Sequence, residues 1–141
     1  MAETFQLEIV TPEKLVVKLA AEAAQLPGKS GYLGILPGHA PLITELAAGE
    51  LNYQAAGKTY RLAVAWGFAE VLPDKVTVLA ETAESPSEID VAAAQKAKAA
   101  AEAALAAAAP DTNYPELLGE VQLADTRIQV AGEGDGTPSA P

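Results

Sequence analysis

A chain of 141 residues has room for one ordinary domain, or for one small domain with an appendage. A formal net charge of −10 argues against direct contact with nucleic acid or anionic lipid. The absence of cysteine excludes disulfides, thiol catalysis and thiolate metal sites, and a single histidine excludes a histidine cage within one chain. Half the residues are apolar, but many are alanine, which buries little area. No apolar window reaches the ~20 residues that a membrane helix needs, so no direct membrane insertion is expected. No basic run followed by an apolar stretch opens the chain, so no signal peptide is expected either.

Residues 5–82 read as short strands separated by turns. Phe5, Leu7 and Ile9 alternate with Gln6 and Glu8, the period of a half-buried strand, and Thr11-Pro12 ends it. Further runs follow at 15–19 and 22–26. Next comes Gly31-Tyr32-Leu33-Gly34-Ile35-Leu36-Pro37-Gly38-His39-Ala40-Pro41, with three glycines, two prolines and the only histidine. Glycine permits backbone angles that other residues avoid, and proline removes a ladder donor. The stretch is therefore read as a tightly bent loop, pinned to the core by Leu33, Ile35 and Leu36. Leu42 and Ile43 lead to a turn at Ala48-Gly49. Leu51 and Tyr53 alternate with Asn52 and Gln54, and Ala56-Gly57 turns the chain into a strand at 59–64. Pro73-Asp74 separates runs at 68–72 and 76–79. Turns about every ten residues are the spacing of a sandwich or flattened barrel.

The composition changes at Ser85-Pro86. Ser85-Pro86-Ser87-Glu88 has the form of a capping box with proline at the first helical position, and Ser87-Glu88-Ile89-Asp90 is a competing start. Residues 92–109 are mostly alanine, the strongest helix former, and Pro110-Asp111-Thr112 stops the run. Asn113-Tyr114-Pro115-Glu116 reads as a second cap. Leu117, Val121, Ala124 and Ile128 then share one helical face. Two helices joined by a short turn make an antiparallel hairpin. The expected division is a β-sandwich domain at 1–85, a helical hairpin at 86–131 and a disordered tail at 132–141.

These stretches resemble the epsilon subunits of F-type ATP synthases. The glycine stretch, with Leu26-Pro27-Gly28 before it, is similar to that family's signature loop. Phe5-Gln6-Leu7-Glu8-Ile9-Val10-Thr11-Pro12 resembles its first strand, Gly67-Phe68-Ala69-Glu70-Val71 its second signature, and Ile89-Asp90 the opening of its C-terminal segment. The resemblance implies a flattened ten-stranded β-sandwich followed by a C-terminal antiparallel α-helical hairpin. It implies a non-catalytic coupling subunit of a proton-transporting complex, peripheral on the cytoplasmic side of the inner membrane. The implied partners are the gamma subunit of the central stalk, the membrane c-ring and the alpha/beta catalytic head. It also implies that Tyr32 and His39, with Gly31 and Gly38, lie near the ring interface.

Several residues have a plainer reading beside the functional one. His39 is either a contact at the loop tip or a tie for its own loop. Trp66 either fills the sandwich core or anchors a partner; the resembled family carries glycine there, which favours the partner surface. Some family members bind ATP on the hairpin through an acid and arginines. Here Asp90 and Arg127 are the candidates, but alanine (Ala93) stands where the resembled motif has its arginine, and Lys96, Lys98 and Arg127 are the only basic residues after Lys75. A polyphosphate needs more cations than that. No cofactor is therefore expected, and Asp90 reads as an acid complementing the helix dipole. Glu116, Glu120 and Asp125 outnumber Arg127 on the second helix, which disfavours contact with an acidic catalytic head.

Gly28-Lys29-Ser30 imitates the end of a phosphate-binding loop, but Ala23 stands where its first glycine belongs and Gly31 denies the helix that must follow. Two other classes remain as rivals: a free-standing β-sandwich adaptor for a peptide or protein, and a small enzyme pairing His39 with Glu45 or Glu70.

Overall fold

The computed structural model describes residues 3–107 and 109–133. Eight strands precede two helices. β1 (Phe5–Val10) points Phe5, Leu7 and Ile9 into the core, as the period of two requires. It lies antiparallel to β2 (Leu15–Ala21) and parallel to β8 (Lys75–Glu84). β3 (Ala23–Gly28) pairs with β4 (Gly31–Ile35) on one side and β6 (Gly49–Ala55) on the other. β5 (Leu42–Leu46) and β6 both pair with the long β7 (Lys58–Val71), which in turn pairs with β8.

The two layers arise from one bend. In β7, Trp66 and Gly67 take φ of 53° and 135°. A Cβ on Gly67 would lie 1.9 Å from the carbonyl oxygen of Leu79, so β8 crosses against bare backbone there. The alternation of buried residues shifts at this level on three neighbouring strands. It runs Leu62, Val64 and then Ala69, Val71 on β7. On β8 it runs Val76, Val78, Ala80 and then Ala83, and Leu46 gives way to Leu51, Tyr53 across β5 and β6. One layer holds β2, β1, the first half of β8, the second half of β7, and β5. The other holds the second half of β8, the first half of β7, β6, β3 and β4. The 8 strands give the ten expected when β7 and β8 are each counted on both sides of the bend.

Three local expectations need correction. The glycine stretch is not a loop throughout: Gly31–Ile35 is strand β4, at the end of the strand order beside β3. An edge strand tolerates glycine because only one side must be paired. Ile35 is buried and Leu33 packs on the core, but Leu36 is 64% exposed and pins nothing. Ala48-Gly49 is not a reversal either. β5 and β6 follow each other along β7 in one register, with Ala47 and Ala48 as a break between them. The runs at 59–64 and 68–72 are accordingly two parts of one bent strand.

Ser85 caps a single 3-10 turn at Pro86–Glu88, where Glu88 accepts hydrogen bonds from the Ser85 N–H (3.0 Å) and hydroxyl (2.8 Å). Neither expected cap, Ser85 or Ser87, starts the long helix, because the chain stays extended at Ile89 after the 3-10 turn. Asp90 is the N-cap of α1 (Val91–Ala106), accepting from the Ala93 N–H at 3.0 Å. α1 ends three residues short of Ala109, and its length is about 24 Å at ~1.5 Å per residue. Asn113 caps α2 (Tyr114–Glu133), accepting from the Glu116 N–H at 3.2 Å. Gly132 and Glu133 belong to this helix and not to a tail; the rest of the expected tail lies outside the described residues.

The helices run antiparallel, tied by Lys98 to Asp125 at 2.7 Å. α2 lies over the outer face of the second layer. There Ala63 and Ala65 of β7 are fully buried although they point away from the sandwich core. Arg127 pairs with Glu84 at 2.6 Å and Arg61 with Glu133 at 2.8 Å, both bridging helix and sheet. Among the described residues no helix is long and apolar enough to cross a membrane.

Candidate interaction surfaces

The residues expected to face a membrane ring occupy two places. Gly38 and His39 lie in the loop at 36–41, where the Gly38 N–H donates to the Pro73 carbonyl at 2.8 Å and ties this loop to the β7–β8 turn. Gly38 takes φ of 86°, which a residue with a side chain rarely adopts. His39 is half-buried; its Nδ1 donates to the Ala40 carbonyl at 2.7 Å, so the histidine ties down its own loop. Leu36 stands exposed beside it. Gly31 and Tyr32 sit at the far end of β4, about 17 Å and about 14 Å along the strand from the start of that loop at some 3.4 Å per residue. The Tyr32 hydroxyl accepts from the Glu50 N–H at 3.2 Å and lines a cleft of ≈ 500 Å³ between the sandwich and α2.

Both hairpin candidates for ATP have partners within the chain. The Asp90 carboxylate caps α1, and the Arg127 guanidinium holds Glu84. Lys98 is paired across the hairpin with Asp125. Glu45, one proposed partner of a catalytic His39, is paired with Lys29 at 3.0 Å, and Glu70 is exposed on the outer face of the first layer. Among the described residues no group of three or more metal-ligating side chains comes together.

Sequence reasoning missed an exposed apolar row. On the outer face of the first layer, Phe68 pairs with Leu79, Leu79 with Val10, and Val10 with Leu15, one unbroken row across β7, β8, β1 and β2. Phe68 is 53% and Leu79 54% exposed, and Ile43 on neighbouring β5 is 68% exposed. A shallow groove of ≈ 330 Å³ runs along the row, lined by Val10, Thr11, Pro12, Gly67, Leu79 and Glu81. A contiguous apolar patch rimmed by charge marks a binding surface. The clue in the sequence was Phe68 spaced two residues from Glu70, a phenylalanine in phase with an outward acid. Trp66 belongs to neither surface. It packs with Ala48, Ala65 and Leu123, between sandwich and α2 and outside the sandwich core.

Residues 4–86 match the family model for the ATP synthase delta/epsilon chain β-sandwich domain, and residues 87–132 match that of the delta/epsilon chain long α-helix domain. The chain is 68% identical over 111 residues to the ATP synthase epsilon chain of Koribacter versatilis, covering 79% of this chain and 78% of that one. It is 44% identical over 135 residues to ATP synthase epsilon chain 2 of Syntrophotalea carbinolica, covering 95% and 98%. Among solved structures, a chain of the Euglena gracilis mitochondrial ATP synthase OSCP/F1/c-ring assembly superposes with a TM-score of 0.73 at 22% identity, covering 92% of this chain and 81% of that chain. The sandwich, the hairpin that follows it and these two consecutive domain matches together place the chain in the ATP synthase delta/epsilon family, as an epsilon chain.

Proposed function

We propose that this epsilon chain couples ring rotation to ATP synthesis by holding the gamma subunit on one face and the membrane ring on one end. The chain is a non-catalytic subunit of the central stalk of an F-type rotary complex. The exposed row Phe68–Leu79–Val10–Leu15 carries this reading: among the described residues nothing covers this apolar surface, and it stands on a rigid sheet suited to transmitting torque. Gamma is its occupant. The loop at 36–41, with Leu36, Gly38 and His39, rests on the c-ring. Tyr32 and Gly31 stand too far along β4 to share that contact and face the α2 cleft. The chain sits peripherally on the cytoplasmic side of the membrane.

The hairpin modulates hydrolysis weakly and binds no ATP. Asp90, Arg127 and Lys98 are already engaged within the chain, and the exposed acids of α2 oppose an acidic head.

A tagged chain recovered from its native membranes after gentle solubilisation should bring gamma and the alpha/beta head in fixed ratio by mass spectrometry. The Phe68→Glu and Leu79→Glu variants should lose gamma at least about tenfold, the effect of burying an unpaired charge in an interface. Recovery of the chain without any synthase subunit would support the adaptor reading instead.

A further inference from the structure

We propose that Trp66 and Gly119 form an intramolecular latch, in which an indole at the sheet bend seats in a notch that a helical glycine leaves in α2, and that this seat sets how firmly the hairpin is held on the sandwich. Two locally unfavourable choices meet at this contact. Trp66 has φ of 53°, a left-handed conformation that a bulky residue rarely takes. Gly119 stands inside α2, where glycine is the poorest choice after proline. A Cβ added at Gly119 would lie 3.3 Å from Cζ2 of Trp66, closer than ordinary packing. Each oddity is explained by the other: the backbone turn aims the indole at the helix, and the missing side chain admits it.

Apart from Leu123 and Val130 of α2, the apolar groups buried between hairpin and sandwich are small ones such as Ala63, Ala65 and Ala124. The cluster beneath α2 contains Ala48, Ala65 and Leu123 besides Trp66, so Trp66 is its one large side chain from the sandwich. α1 buries only Ala94 and Ala101. The ion pairs Arg127–Glu84, Arg61–Glu133 and Lys14–Glu88 join the two parts, but they are partly exposed and salt-screened. The latch therefore fixes where α2 sits. It is independent of gamma or ring binding and is readable in the isolated full chain.

Trp66 is the only tryptophan, so its emission reports its own seat. Gly119→Val fills the notch. Its expected result is red-shifted emission and faster amide exchange along α2 and residues 85–90, with exchange in β1 unchanged as the control for folding. Trp66→Gly removes the indole and suits the positive φ; it should speed α2 exchange likewise while leaving β1 protected. The decisive comparison is Gly119→Ala in both backgrounds. With Trp66→Gly, alanine should slow α2 exchange by about fivefold, its advantage over glycine in a helix. With Trp66 present, most of that gain should vanish against the indole. An equal gain in both backgrounds, or unchanged α2 exchange in Gly119→Val and Trp66→Gly, would overturn the latch.

Discussion

Gly67 is the residue on which the two layers depend. Alanine there would set a Cβ 1.9 Å from the Leu79 carbonyl oxygen, a contact that requires β7 and β8 to separate at the bend. We expect Gly67→Ala to cost more than about 3 kcal/mol, read as a lowered urea midpoint or loss of soluble protein. Glu50 offers a gentler test. Burial first, and then its hydrogen bond with Glu133, push its carboxyl above the ordinary value of 4.5; Asn52 and Arg61 offset this only in part. Glu133 is shifted the other way, chiefly because it accepts from Glu50. An acid raised on folding holds its proton more tightly in the native state. Its contribution is therefore full below the unfolded value and lost as pH rises through the folded one. Glu50→Gln keeps a donor for Glu133 and removes the partly buried charge. It should unfold at a higher urea concentration than the parent at pH 7 and at the same concentration near pH 4. A midpoint lowered at pH 7 would show that the charge of Glu50 is needed by Arg61.

At the scale of elements, each helix of the hairpin is started by a side chain whose chemistry is local. Asp90 satisfies an orphan N–H at the start of α1 and Asn113 does the same for α2. Asp90→Ala should cost about 1 kcal/mol of helix stability, measured as faster exchange in the first turn of α1. The same variant tests the ligand question. If Asp90 serves only as a cap, calorimetry will find no ATP binding in either the parent or the variant. Saturable heat in the parent, lost in Asp90→Ala and Arg127→Ala, would assign both residues to a nucleotide. Arg127→Ala also breaks the link to Glu84 across the α2–β8 junction, leaving that acid without its close cation.

For the whole molecule, the main core contains no helical residue: it runs from Phe5 to Ala83, all on strands. A chain cut after Ser85 should therefore still unfold in one cooperative step, with Trp66 emission shifted red because its cover is gone. Reassembled into the synthase, the shortened chain should leave coupled synthesis intact and change hydrolysis less than about twofold, because the acids of α2 disfavour contact with an acidic head. A large rise in hydrolysis would make the hairpin a strong brake and correct that view. The apolar row on the opposite layer should be untouched by the cut, so gamma should still be retained.

Much was legible from residue order. Period-two alternation around Phe5, Leu7 and Ile9 gives a half-buried strand because side chains must alternate across a pleat. Alanine from 92 to 106, bounded by a capping aspartate, gives a helix because its propensity is backbone-local. The glycine-rich signature at 31–41 and its neighbours were enough to indicate the family. What only the tertiary structure decided are the meetings of residues far apart in the chain. Trp66 was ambiguous in sequence because its partner is a glycine 53 positions later, and a glycine advertises no contact. The row Phe68–Leu79–Val10–Leu15 required a parallel pairing of β1 with β8, which no local pattern encodes. Gly31–Ile35 read as a loop until its place beside β3 made it an edge strand. Local backbone preference and periodicity act within a few residues, so sequence determines the elements. Which faces meet depends on the register and bend of the whole sheet, and that is where the Trp66–Gly119 contact, the exposed apolar row and the separation of Tyr32 from His39 are set.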